Sequence, residues 1–195
     1  ALHEIESLAK AQLLNPLCRV LNTRISSVIA KMHRGIYLES NATMAGDGAG
    51  GVSFVRDHLV DVYDSITTNV LSRLPTEYAN IITSTIAAFS IYCFVSNATL
   101  VRPLGESGRL RITQDLADFE LTLEQLINKV VVGTNGNGSS SSTTTTTTLA
   151  QLAGGKPYAE LRAVRQMLFW TGLENQDLSP KQASKAFLRE VWVKD

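Results

Sequence analysis

YANIITSTIAAFSIYCFVSNATLV, residues 78–101, holds no charged side chain. A run of this length and composition has three readings. It is long enough to cross a bilayer. It can equally be the central helix of an all-α bundle, where every side meets another helix. It can also be an apolar face that docks a partner. Seven of the 21 residues from Ile81 to Val101 are polar: Thr83, Ser84, Thr85, Ser90, Ser96, Asn97 and Thr99. These weaken insertion into lipid, and the flanks show no Lys/Arg asymmetry. The favoured reading is a buried central helix.

The rest of the chain supplies helices to surround it. Ile112, Leu116, Phe119, Leu123, Leu126 and Val130 step by 4, 3, 4, 3, 4, the spacing of a bundle seam. Asp115, Asp118 and Glu124 are read as polar positions opposite that seam. On the other side, Val55, Leu59, Val62, Ile66, Val70 and Leu74 form a stripe that begins at Ser53, a candidate cap. Asp57, Asp61 and Asp64 lie in its N-terminal half, where the helix dipole favours acids. Further upstream, Leu17, Leu21, Ile25, Val28, Met32 and Ile36 share one face. Asn15-Pro16 reads as the start of that helix and the end of a shorter one over 2–14. Residues 40–51, glycine-rich and without periodicity, read as a loop.

Residues 133–148 run Gly-Thr-Asn-Gly-Asn-Gly, four Ser and six Thr. Such a segment cannot bury apolar surface and is expected to be disordered. Tyr158, Leu161, Val164, Leu168 and Thr171 then mark another helix, with Arg162 and Arg165 on other faces. Ser179-Pro180 opens a short amphipathic one containing Ala183, Phe187, Leu188 and Trp192. The expected organisation is a helical bundle over 1–132, a flexible insertion over 133–156, and C-terminal helices over 157–195 that pack on the bundle. No strand-type alternation occurs. The expected fold class is all-α, an antiparallel helical bundle interrupted by a disordered Ser/Thr-rich insertion.

Composition narrows the function. Eighteen Lys+Arg balance 18 Asp+Glu across 195 residues, and neither half of the chain is a basic arm or acidic tail. Nucleic acid is therefore not an expected partner, since phosphate binding needs clustered cations. Cys18 and Cys93 are 75 residues apart and read as reduced thiols on helix faces. The chain starts Ala1-Leu2-His3-Glu4, without a signal-peptide pattern, and reads as a piece of a longer protein.

No catalytic, cofactor or metal constellation assembles from spacing. His3, His33 and His58 lack a His or Cys at i+3 or i+4. Asp57 and Asp61 beside His58 are ordinary helix neighbours. Gly46–Gly51 lacks the Gly-Lys-Ser/Thr ending of a phosphate loop, and Gly105-Glu106-Ser107-Gly108 follows a helix instead of a strand. Asn41-Ala42-Thr43 and Asn97-Ala98-Thr99 match the glycosylation sequon by chance.

Arg102, Arg109 and Arg111 crowd one corner. They suit an acidic partner or lipid headgroup, while Arg102 at a helix C-terminus also has a structural use. Here a resemblance emerges. The run from Cys93 to Arg111, with Val101-Arg102-Pro103-Leu104-Gly105-Glu106 at its centre, resembles a helix–corner–helix segment of the family of subunit 5 of the conserved oligomeric Golgi complex. Asp115, Asp118-Phe119 and Glu120-Leu121 continue the match. Tyr158 to Phe169 resembles a later helix of that family, and residues 54–74 do so more loosely. The specific match covers about residues 90–125 and 158–170. The Ser/Thr segment looks like an insertion between two helices that the family joins more directly, and residues 171–195 do not resemble the family's tail.

The resemblance implies a rod-like stack of helical bundles without enzyme activity. It implies a peripheral tether on the cytosolic face of Golgi membranes in retrograde vesicle traffic, paired with subunit 7 and working with SNAREs, Rab GTPases and coiled-coil tethers. The rival readings are an all-α adaptor or signalling bundle unrelated to the Golgi, and a helical enzyme with an unrecognised site. Candidate partner contacts are Arg102, Arg109, Arg111, Phe187 and Trp192; for Phe187 and Trp192 the competing role is packing on the bundle.

Overall fold

The computed structural model describes Leu8, residues 10–34, Tyr37, residues 53–101, 106–132, 156–168 and 179–187, and Arg189. Every regular element among the described residues is helical. A π-helical turn, Lys10–Leu14, runs into α1, Asn15–Ile29, which tightens into a 3-10 turn, Ala30–His33. α2, Phe54–His58, and α3, Val60–Asn69, follow, with a 3-10 turn at Leu71–Arg73. α4 is Thr76–Leu100, α5 is Glu106–Val132, α6 is Lys156–Leu168 and α7 is Pro180–Phe187.

The Asn15-Pro16 boundary differs from expectation. Leu14 has helical dihedrals and no side-chain cap forms, so residues 10–29 are one helical path instead of two helices. Proline lacks an N–H and its ring crowds the carbonyl one turn back. The wider π turn just before it accommodates both features without ending the helix.

The uncharged stretch forms α4, which packs on α1, α5 and α6 and on both 3-10 turns. Ile82, Ile86, Ala87, Ile91 and Phe94 are wholly enclosed. By length and composition α4 is able to cross a membrane, yet half of its most apolar window is buried against neighbouring helices. Several of its small polar residues are satisfied within the helix. Thr83, Ser84 and Thr85 donate their hydroxyls to the carbonyls four residues back, at 2.7–2.9 Å. One face stays open: Ile81 and Tyr92 are exposed, as is Leu100 at the end.

The pairings set the helix directions. Arg56 meets Asp118 and Asp64 meets Lys129, so α2 and α3 run alongside α5 in the same sense. Tyr63 lies beside Ser90 and Cys93, and Phe94 stacks on Phe119. Hence α4 runs back against both α3 and α5. Short connections between consecutive helices favour this reversal. Ser26 faces Cys93 and His33 bonds Asn97, which lays α1 along α4 in the same sense.

The seam of α5 is buried as its spacing predicts. Ile112, Leu116, Phe119 and Leu123 are fully enclosed and Leu126 nearly so. The Phe94 and Phe119 rings stack at 4.3 Å between centroids, 11° from parallel, which ties α4 to α5 at mid-height. The stripe from Val55 to Leu74 also faces inward. The helix carrying it is broken at Leu59 and closes on the 3-10 turn, so Val70 and Leu74 are only partly covered. Leu161 and Val164 seat α6 on the core. Cys18 and Cys93 are free and buried, and burial pushes both thiols up. Residues 2–7, Ile36, the 40–51 loop, the 133–148 segment, Thr171, Leu188 and Trp192 lie outside the described residues.

Phe119→Ala is expected to cost about 3–5 kcal/mol, whereas Tyr92→Ser on the open face of α4 is expected to stay within about 0.5 kcal/mol. Urea unfolding followed by far-UV circular dichroism measures both. Equal losses would contradict this placement of the core.

Candidate functional site

Asp115 and Asp118 are not solvent-facing: they are 3% and 6% exposed. The expectation of polar surface opposite the seam is thus overturned for these two, while Glu124 is exposed. The seam at 112, 116, 119 and 123 meets α4. Asp115 and Asp118, together with buried Thr122, lie on a flank of α5 that α2 and α3 cover.

The Asp115 carboxylate organises that flank. It accepts the Tyr37 hydroxyl at 2.6 Å on one oxygen and the Ser53 hydroxyl at 2.8 Å on the other. The backbone N–H groups of Phe54 and Val55 also donate to it. These are the first amides of α2, which have no partner inside the helix. An acid on another helix therefore caps α2, and negative charge is favoured at that terminus. Ser53 itself accepts the Arg56 N–H only at 3.5 Å. Its expected role as cap holds in position, with much of the hydrogen bonding passed to Asp115.

One turn on, Asp118 accepts from Arg56 at 2.9 Å and from Gln114 at 3.4 Å. The two acids are tuned oppositely. Burial pushes Asp115 above the usual carboxylate range, despite its hydroxyl and amide donors. Burial also acts to raise Asp118, but Ser53, the Arg56 guanidinium and Gln114 outweigh it and hold that carboxyl below its ordinary value. The Tyr37 phenol is pushed up by burial and by the adjacent Asp115 charge, and the Arg111 charge acts against this.

The corner arginines separate. Arg109 is exposed, whereas Arg111 is half-buried and its charge reaches the Tyr37 phenol. Arg102 lies outside the described residues. Phe187 closes α7, and Trp192 lies beyond the described residues. α7 opens as its sequence suggests: the Ser179 N–H and hydroxyl donate to Gln182 Oε1 at 2.9 and 2.8 Å. Arg165 of α6 pairs with Glu120 of α5 at 2.9 Å, and the Arg162 guanidinium sits 5.8 Å from the Tyr158 ring centroid.

Residues that carry chemistry elsewhere are dispersed. His33 shares a 2.8 Å hydrogen bond with Asn97 Oδ1, and His58 packs its ring 5.0 Å from Phe54. Among the described residues no group of three His, Cys, Asp or Glu side chains is placed to hold a metal ion. An open groove of about 410 Å³ runs between α1 and α4, lined by Asn15, Arg19, Asn22, Thr23 and Phe89 among others. It holds no pair of titratable groups set for acid–base work. Tyr37, Ser53, Arg56, Asp115 and Asp118 are the residues that sequence reading missed as a cluster. The available signal was a second, polar stripe on α5, at 115, 118 and 122, beside the first.

No protein-family model matches the chain, and no solved structure matches it. Over 89 residues it is 36% identical to conserved oligomeric Golgi complex subunit 5 of Mus musculus, a stretch that is 46% of this chain and 8% of that protein. The chain therefore spans a small fraction of the length of the curated relative it matches.

Asp115→Ala leaves two hydroxyls and two helix-end amides unpaired and is expected to cost about 3 kcal/mol or more. The pH dependence carries opposite signs at the two acids. Asp118, with its lowered value, stabilises the fold above about pH 4, and that contribution is lost as pH falls through its folded value. Asp115, with its raised value, favours the fold most at acid pH, and this fades as pH rises through its folded value. Urea midpoints across that range should show Asp118→Asn flattening the acid loss and Asp115→Asn removing the opposing trend. Unchanged profiles would contradict the assignment.

Proposed function

We propose that this chain is a non-catalytic helical segment of a Golgi vesicle-tethering subunit, acting in retrograde intra-Golgi transport through protein–protein contacts. The similarity to the mouse Golgi complex subunit carries this reading. The all-helical architecture suits it, because helical bundles stack into long supports and present extended faces to partners. The polar cluster around Asp115 is built to hold α2 against α5, with its donors consumed by helix capping and hydrogen bonding. This supports a structural use for the buried acids.

In this reading the chain works at the cytosolic face of Golgi membranes, as a peripheral component. Its partners are other subunits of the tethering complex, the seventh among them, with SNAREs, Rab GTPases or coiled-coil tethers at further surfaces. The bundle over 1–132 is the load-carrying part, and the helices over 157–195 close onto it. Arg109, Phe187 and Trp192 are the first residues to test at an interface.

Immunoprecipitation of the epitope-tagged chain from cytosol is expected to recover other Golgi tethering subunits, and Trp192→Ala to reduce that recovery without changing the melting temperature. Recovery of no tethering subunit by either the chain or its full-length parent would overturn the reading. A lowered melting temperature in Trp192→Ala would place that residue in the packing of the fold.

A further inference from the structure

The outer face of α1 is charged in one sign. From Ser7 to Leu38 the sequence holds Lys10, Arg19, Arg24, Lys31 and Arg34 and no acid at all. Along α1 and its flanking turns Leu13, Leu17, Val20, Arg24, Ser27 and Lys31 step by 4, 3, 4, 3, 4, the spacing of a coiled-coil seam, with Leu13 in the π turn and Lys31 in the 3-10 turn. Leu13 is 68% exposed and Val20 66%, while Leu17 between them is half-buried against the core. The inward face of α1 is a different set, centred on Cys18, Leu21, Ile25 and Ile29. The Arg24 guanidinium has no ion-pair partner among the described residues.

We propose that this outer seam seats a helix from another protein, aliphatic in one half and acidic in the other. Leu13 and Val20 would bury against the aliphatic half, and Arg24 and Lys31 would meet carboxylates in the acidic half. Two other occupants fit the face less well. A second copy pairing α1 with α1 sets basic residues against basic or aliphatic ones in either orientation, because α1 has no acid to answer them. A bilayer surface favours a wide apolar face, often with aromatic residues. Here the aliphatic line is narrow, bordered by exposed Gln12, Asn15, Arg19 and Thr23, and α1 has no aromatic residue.

This deepens the reading above by giving its protein contacts a surface and a partner chemistry. The test needs no Golgi component, so its failure and a failed recovery of tethering subunits are separate results. The probe is a fluorescein-labelled helix of about three heptads, with leucine at the seam positions of one half and glutamate at those of the other, made with either half first and titrated with the whole chain. Saturable binding in the micromolar range is expected, weakened about tenfold by Arg24→Glu and likewise by Val20→Asp. Both variants should keep the parent's melting temperature. A probe with lysine in place of glutamate should regain binding to the Arg24→Glu, Lys31→Glu double variant.

Four results would overturn the proposal. One is no binding, and another is equal binding of a shuffled probe of the same composition. A third is Arg24-dependent capture by phosphatidylcholine–phosphatidylserine vesicles with no probe binding. The last is Arg24-dependent self-association in sedimentation with no probe binding.

Discussion

A helix that is apolar on nearly every side has to be covered on more than one side. α4 imposes that condition on everything around it. α1, α5 and α6 each contribute a face, and the stacked Phe94 and Phe119 rings fix the height at which α5 meets it. The neighbours can be ordinary amphipathic helices because α4 supplies the shared apolar centre. Thr83 and Ser84 turn their hydroxyls back onto carbonyls of the same helix, so they enter the packing without demanding polar partners from other elements.

How much of this is legible in residues depends on how many partners each helix has. α5's seam against α4 reads directly, since a single contact line produces a single stripe. Asp115 and Asp118 read as surface because that inference grants α5 one partner, whereas it has several. The acids are buried under α2 and α3, a contact between distant parts of the chain that spacing along one helix does not encode. Pro16 misleads for a local reason: proline ends a helix in its common α geometry, and here the preceding turn is π. The one-signed charge of α1 is in plain view in sequence, but it cancels when charges are counted over half the chain.

The candidate site follows the same division. Arg109 and Arg111 are adjacent in sequence terms, yet helix geometry turns positions two apart onto different faces. One is left to solvent and the other has its charge directed at Tyr37. What looks like a cluster of cations along the chain is split between an exposed surface and internal electrostatics. The converse holds for Tyr37, Ser53 and Asp115, which nothing in local sequence connects and which share one carboxylate.

That shared carboxylate has a consequence for how the chain can vary over time. Tyr37 and Ser53 are the two ends of the segment 38–52, and both are fastened to the same side chain. The segment's departure and return points are therefore set by α5, independently of what lies between them. Lengthening such a closed segment is thermodynamically mild, about 0.6 kcal/mol for each doubling. Insertions and deletions between these anchors should accumulate freely among related chains, while the tyrosine, the serine and the aspartate change together or not at all.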